Sequence, residues 1–202
     1  MTKKRYHHGD LPSVLLKAAE AELAEQGLER FSLRAVAKRA EVSHAAPAHH
    51  FKDLNGLLTA LAARGYERLV QFQQHRQLTA NADPRSQAVA SGLGYIDFAT
   101  SHPALFRLMF ASERPDRAET HFATASLAAF DKLVAETRAI AGNDPYADPD
   151  AMSQLVASWS LVHGLAELIV AGRAERLLGL SSLSVDQRDA VLSDILRRVT
   201  RP

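Results

Sequence analysis

No cysteine occurs in this 202-residue chain. Disulfides and thiolate zinc sites are therefore excluded, and the absence fits a reducing compartment. Net charge is close to absent as well, only +1, so bulk charge does not announce a nucleic-acid partner. No apolar stretch approaches the ~18 residues of a membrane span, and the N-terminus lacks the apolar segment of a signal peptide. A soluble, cytoplasmic protein with no membrane partner is the expectation. Nine histidines and 23 acids are present, yet no nucleophile motif, glycine-rich phosphate loop or metal-ligand spacing accompanies them. Neither an enzyme, a cofactor nor a metal site is expected. Internal repeats, low-complexity segments and runs of alternating β-branched residues are also missing.

Alanine and leucine dominate instead, with 47% hydrophobic and 23% charged residues, an ordinary globular balance. The length suits one compact unit, or a small head on a larger body. All-α is the natural fold class. Residues 1–55 hold nine Lys/Arg against seven acids, so this part carries +2 and the remainder −1. Local clustering matters more than that slight asymmetry: Lys3-Lys4-Arg5 and Arg34/Lys38/Arg39 can each present positive charge to a polyanion.

The stretch from Ser32 to Phe51, SLRAVAKRAEVSHAAPAHHF, organises the rest. Ser32 is a good N-cap, because its hydroxyl can accept a free backbone N–H. Leu33, Val36, Ala37 and Ala40 recur at helical spacing and share a buried face, while Arg34, Lys38 and Arg39 point away from it. A turn follows at Glu41-Val42-Ser43, with Val42 as hydrophobic plug. Ser43 is the expected next N-cap, opening a second helix through His44, Ala45, Ala46, Pro47, Ala48, His49 and His50. Two short helices joined by a tight turn form a helix-turn-helix pattern. Small side chains at Ala45 and Ala46 allow close approach to base edges, and His44, His49 and His50 can donate to bases or phosphates.

Elsewhere the chain reads as helices separated by breakers. Asp10 can cap a first helix that Gly27 stops, with Pro12 in its first turn and Phe31 anchoring the head. Asp53 is the expected cap of a long helix toward residue 78. Further helices are expected over Pro84–Ser101, His102–Phe110, Asp116–Ala141 and Pro149–Leu178, the last irregular near Gly172. Ser184 and Gln187 form a capping-box pair for a final helix to Arg201.

Several ordered segments resemble TetR/AcrR-family transcriptional regulators, in particular the branch with a Trp-His-Gly element in its C-terminal domain. They are RYHHGDL at Arg5–Leu11, SLRAVAKRAEVSHAAP at Ser32–Pro47, HHF at His49–Phe51, HPALFRLMF at His102–Phe110 and WSLVHGLAEL at Trp159–Leu168. The resemblance implies a three-helix DNA-binding head over residues 1–55 and a helical ligand-binding and dimerisation domain over 56–202. It implies DNA contacts from Lys4, Arg5 and Tyr6 on the N-terminal arm, which composition alone reads equally as a disordered tail. Ser32, Arg34, Ser43, His44, Ala45, Ala46, His49, His50 and Lys52 complete that interface.

In the body, the resemblance implies an unidentified small-molecule effector held among Phe98, Phe106, Met109, Phe110, Phe122, Phe130, Trp159 and His163. Each aromatic there is also plausible as plain core, and His163 as a hydrogen-bonded buried histidine. The first of the last two long helices is apolar on more than one face and the second carries an apolar stripe, a pattern that plain core inside one domain also produces. The resemblance implies that Leu155, Val162, Ile169, Val191, Ile195 and Leu196 are dimer contacts, forming a four-helix bundle with a second copy. Such a dimer would place two recognition helices ~34 Å apart on a near-palindromic double-stranded operator. Three positions depart from the family pattern: Glu41 replaces a glycine, and Ala48 and Leu54 replace a tyrosine and a lysine that contact phosphate. A helical ligand-binding or interaction dimer with weakened DNA binding is therefore the alternative.

Overall fold

The computed structural model describes residues 11–198. The expected arm contacts Lys4, Arg5 and Tyr6, the Asp10 cap and the extension of the last helix to Arg201 lie outside the described residues. Those described form ten α-helices and two 3-10 turns, with no strand among them. The all-α expectation holds. Two compact units are present. One comprises the chain through Gly65 with Ala104–Ala123, the other Tyr66–Pro103 with the chain from Thr124.

The first unit contains α1 (Leu11–Gln26), a 3-10 turn at Leu28–Arg30, α2 (Leu33–Arg39) and α3 (Ala46–Phe51). The first half of α4 (Leu54–Gln77) and nearly all of α6 (Pro103–Phe110) complete it. Helix α1 packs on α2, and α2 on α3. Leu15, Ala19, Phe31, Val36, Ala37, Leu57, Leu58 and Leu61 are buried between these elements. Each fully buried leucine contributes on the order of 2 kcal/mol through area removed from water.

The second unit contains the rest of α4, α5 (Pro84–Ser101), most of α7 (Thr120–Ala141), α8 (Pro149–Val170), α9 (Glu175–Leu178), a 3-10 turn at Leu180–Ser182 and α10 (Val185–Arg197). Helix α5 packs on α8 and α10, and α10 on α8. Side-chain caps define the helix starts. Asp83 accepts from the Ser86 N–H at 2.9 Å, and Asp148 from Asp150 at 2.9 Å. Ser184 and Gln187 exchange both bonds of a capping box.

Helix α8 stops eight residues before the expected Leu178. Gly172 adopts φ +70, and the Arg173 and Ala174 N–H groups both return to the Leu168 carbonyl at 2.8 and 3.0 Å. The helix end is thereby satisfied within its own turn. Arg76 on α4 lies between Asp97 on α5, at 2.5 Å from Nε, and Asp189 on α10, at 3.2 Å from Nη2. Gly94 brings α5 against α4 so closely that a Cβ there would meet the Gln73 Cα and Phe72 carbonyl at 2.5 Å.

One expectation about apolar stretches needs correcting. Helix α8 is long and apolar enough, by length and composition, to cross a membrane. Gln154, Ser158, His163 and Glu167 recur along it. Its apolar residues divide between a buried face, with Leu155, Val162, Leu165 and Ala166, and an open one, with Val156, Trp159 and Leu168.

Glu41 sits at φ +56 in the turn after α2 and is exposed. An L side chain there is strained by ~1 kcal/mol. Replacing Glu41 with glycine should raise the melting temperature by roughly 2–4 °C. An unchanged or lowered value in a thermal melt would contradict the strain.

Candidate functional site

Helix α2 starts as its sequence dictates. The Ser32 hydroxyl accepts from the Ala35 N–H at 3.2 Å, so this side chain is already engaged in capping. The start of α3 differs from expectation. Ser43 does not cap it; the helix begins at Ala46, with Ala45 at the N-cap and no side-chain cap bond. Pro47 supplies the reason. A helix capped at Ser43 would put Pro47 beyond the first turn, where its missing N–H removes a bond to the Ser43 carbonyl and its ring clashes with that group. Starting at Ala46 keeps Pro47 in the first turn, where proline is tolerated.

The resulting surface carries most of the expected DNA contacts. Arg34, Ser43, His44, Ala45, His49, His50 and Lys52 are exposed, while Ser32 and Ala46 are half-buried. The His49 and His50 rings meet edge to face at 5.2 Å. Arg39 is exposed as its position on the helix face implied, but its guanidinium is held. It donates to both Glu25 oxygens, at 2.8 and 2.6 Å, and to Glu22 at 3.0 Å. The guanidinium holds the Glu25 carboxyl below its ordinary pKa, chiefly through these hydrogen bonds. Arg39 therefore ties α2 to α1.

Between α3 and α4 the chain reverses through a feature that residue type did not reveal. Lys52 has φ +69 and ψ −60, and the Asp53 N–H donates to the Phe51 carbonyl at 2.8 Å. This is the positive-φ γ-turn, a rare and strained conformation. Asp53 then caps α4, accepting from the Gly56 N–H at 2.8 Å. Gly56 is required sterically: a Cβ there would lie 2.0 Å from the Phe51 carbonyl oxygen.

The expected ligand residues are divided between the two units. Phe106, Met109, Phe110 and Phe122 belong to the first unit, and Phe98, Phe130, Trp159 and His163 to the second. Phe98, Phe106, Met109 and Phe122 are buried. Trp159 is 41% exposed, with its ring against Phe130 at 6.1 Å.

Trp159 and His163, one turn apart on α8, bracket the hydroxyl of Tyr95 on α5. That hydroxyl lies 2.8 Å from His163 Nδ1 and accepts from the Trp159 indole N–H. Since indole can only donate, the Tyr95 proton stays available to Nδ1 whenever His163 is neutral with its own proton on Nε2. Burial raises the Tyr95 pKa, against a smaller opposing effect of the Trp159 bond. Burial also lowers that of His163, against a smaller opposing effect of Glu167. Both groups are thus held uncharged at neutral pH.

Beside this relay lies a cavity of about 60 Å³. Val89, Leu133, Ile140, Val162 and Leu196 give it apolar walls, and Gln73, Ser91, Tyr95 and Thr137 add polar groups. Glu136 is its charged lining residue, held by Lys132 Nζ at 2.7 Å and Gln77 Nε2 at 3.0 Å. Sequence reasoning missed Gln73 and Ser91. The signal was the small, polar Ser91-Gly92 step on an otherwise apolar helix, which an aromatic-centred search passes over.

The expected dimer residues divide too. Leu155, Val162 and Leu196 are buried inside the second unit, while Ile169, Val191 and Ile195 are half-buried. The most exposed apolar side chains on α8 are Val156, at 52%, Trp159 and Leu168. Gly164 lies among them, and a Cβ there would meet nothing within 4 Å.

Residues 15–61 match the family described as bacterial regulatory proteins, tetR family, and residues 88–188 match the tetracyclin repressor-like C-terminal domain. The HTH-type transcriptional regulator BetI of Yersinia pestis is 32% identical over 98 residues, 48% of this chain and 50% of that protein. The chain thus spans about half the length of the curated relatives it matches. A solved protein of unknown function from Rhodococcus sp. RHA1 is 31% identical, covering 98% of this chain and 100% of its own, with a TM-score of 0.75. A TetR-like transcriptional regulator from the same organism shares the fold at 15% identity, over 96% and 97% of the two chains, with a TM-score of 0.66.

The half-buried imidazole sets a pH dependence. Unfolded histidine takes up a proton near pH 6.5, whereas folded His163 resists it, so the unfolded state binds more protons in acid. Its contribution to stability is present above that pH and lost as the pH falls through it. The drop in melting temperature between pH 7.5 and 5.5 should be smaller in His163→Gln than in the parent; equal drops would contradict the assignment.

Proposed function

This chain belongs to the TetR family of bacterial transcriptional regulators, and on that premise we propose that it is a ligand-responsive repressor, binding a near-palindromic operator as a homodimer. The observation that carries the reading is the exposed face of α3. His49 and His50 project from a short helix, with His44 and Ala45 exposed just before its start, and the helix is held by a buried proline and a packed α2. The DNA-binding function is assigned to residues 1–55 and effector binding and dimerisation to residues 56–202.

Base edges are read by α3, and phosphates by Arg34, Lys52 and the histidines. Ala48 and Leu54 withhold two phosphate contacts, and Arg39 is occupied by Glu22 and Glu25. Operator binding is therefore weak, with a shallow salt dependence, because each phosphate contact adds roughly 0.9 to the logarithmic slope. The effector acts by binding one conformation better than another and shifts the equilibrium only by that difference. Helix α4 is shared by the head and the cavity's unit, and it transmits the change. The same weakness favours a second reading, a ligand-binding dimer with lost DNA recognition.

The open face of α8 supports the dimer. Val156, Trp159 and Leu168 are left uncovered by the single chain. Gly164 costs the helix about 1 kcal/mol relative to alanine and has no packing reason within the subunit. Close approach of a second α8 supplies one.

Titrating the protein against its own upstream DNA in a salt series tests the first reading. Saturable binding is expected, and Ala48→Tyr with Leu54→Lys, which restores two contacts in each protomer of the dimer, should steepen the salt slope by about 3.6. Absence of binding to that DNA at low salt would favour the second reading. Val156→Asp should give a monomer by sedimentation and weaken operator binding at least tenfold; an unchanged dimer would remove α8 from the interface.

A further inference from the structure

We propose that the cavity lined by α5, α7, α8 and α10 binds an uncharged aliphatic alcohol through its hydroxyl group. The proposal rests on the reading of the second unit as the effector-binding part, and it names the chemistry of that effector.

Ser91 is the central observation. It is 2% exposed, lines the cavity, and its hydroxyl has no hydrogen-bond partner. Helical serine and threonine hydroxyls commonly return to the carbonyl four residues back. Thr59, Thr100, Thr137 and Ser153 do so here, at 2.7–2.9 Å. For Ser91 that carbonyl belongs to Gln87, which accepts instead from Gln77 Nε2 at 3.1 Å. Gln73 Oε1, on the same cavity, is likewise buried and unpartnered. Each such group carries a desolvation penalty that a ligand can relieve.

The two groups need different things. Gln73 Oε1 can only accept, whereas the Ser91 hydroxyl can donate. A ligand hydroxyl serves both, donating to Gln73 Oε1 and accepting from Ser91. An ammonium can only donate, and a carboxylate or ketone can only accept. Charge points the same way. Glu136 disfavours an anion, and its pairing with Lys132 leaves little attraction for a cation. The remaining walls are apolar. A volume of about 60 Å³ is several times what one water molecule requires, which suits an alkyl chain of a few carbons.

The test uses the full chain without DNA, titrated with 1-butanol, butanoate and butylamine and followed by calorimetry and thermal melting. Saturable binding of 1-butanol is expected, at least tenfold tighter than of the other two. Ser91→Ala should weaken it about tenfold, yet raise the melting temperature of the ligand-free protein, because it removes a buried unpartnered hydroxyl. Equal affinities in the parent and Ser91→Ala would overturn the proposal, as would a preference for butanoate or a response that never saturates. If an ordered water is the sole occupant, no alcohol saturates and Ser91→Ala lowers the melting temperature, which also overturns it. Alcohol binding that leaves operator affinity unchanged would remove the effector role but keep the site. Operator binding without an alcohol site would sink this proposal alone.

Discussion

The Phe51 carbonyl occupies the space where any residue but glycine at position 56 would hold its Cβ. The presentation of α3 depends on that contact. It forces the chain through a γ-turn at Lys52, and the Asp53 cap locks the turn by holding the Gly56 N–H. A six-residue helix has little stability of its own. Here both of its ends are determined from outside, by Pro47 at the start and by the reversal at Lys52. Strain at Lys52 is tolerated because the cap, the glycine contact and the buried leucines of α4 over-determine the conformation.

In the second unit, positioning is by polar groups rather than by backbone contact. Arg76 joins three helices through two carboxylates, and Tyr95 joins α5 to α8 through Trp159 and His163. These interactions are directional, so they specify the register between helices in a way that apolar packing alone does not. They also leave uncharged groups beside the cavity. The Trp-His spacing on α8 acquires a physical meaning: four residues place an indole donor and an imidazole acceptor on either side of one phenol.

Much of this was legible in the residues. Helix α5 was expected over Pro84–Ser101 and runs there, because a capping aspartate and a first-turn proline fix its start. Ser32, Asp53 and the Ser184/Gln187 pair behave as their chemistry requires, and Glu41 has the positive φ expected of a residue standing in for glycine. What failed depended on tertiary context. Ser43 lost its capping role to the register that Pro47 imposes four residues later. Arg39 is exposed as its place on the helix implies, but Glu22 and Glu25 on a different helix hold its guanidinium. The aromatic residues drew attention away from the cavity, whose informative atoms are the hydroxyl of a serine and the amide oxygen of a glutamine. No local pattern announces an unpartnered atom; it exists only once the surrounding helices have packed.

Gly94 sets a further limit. Where α5 crosses α4, main chain lies against main chain, so the spacing of these two helices does not depend on side-chain volume. Gln73 and Ser91 are carried by these two helices and line the cavity. Substitutions that reshape the cavity therefore fall to residues such as Leu133, Ile140 and Val162, which α7 and α8 contribute.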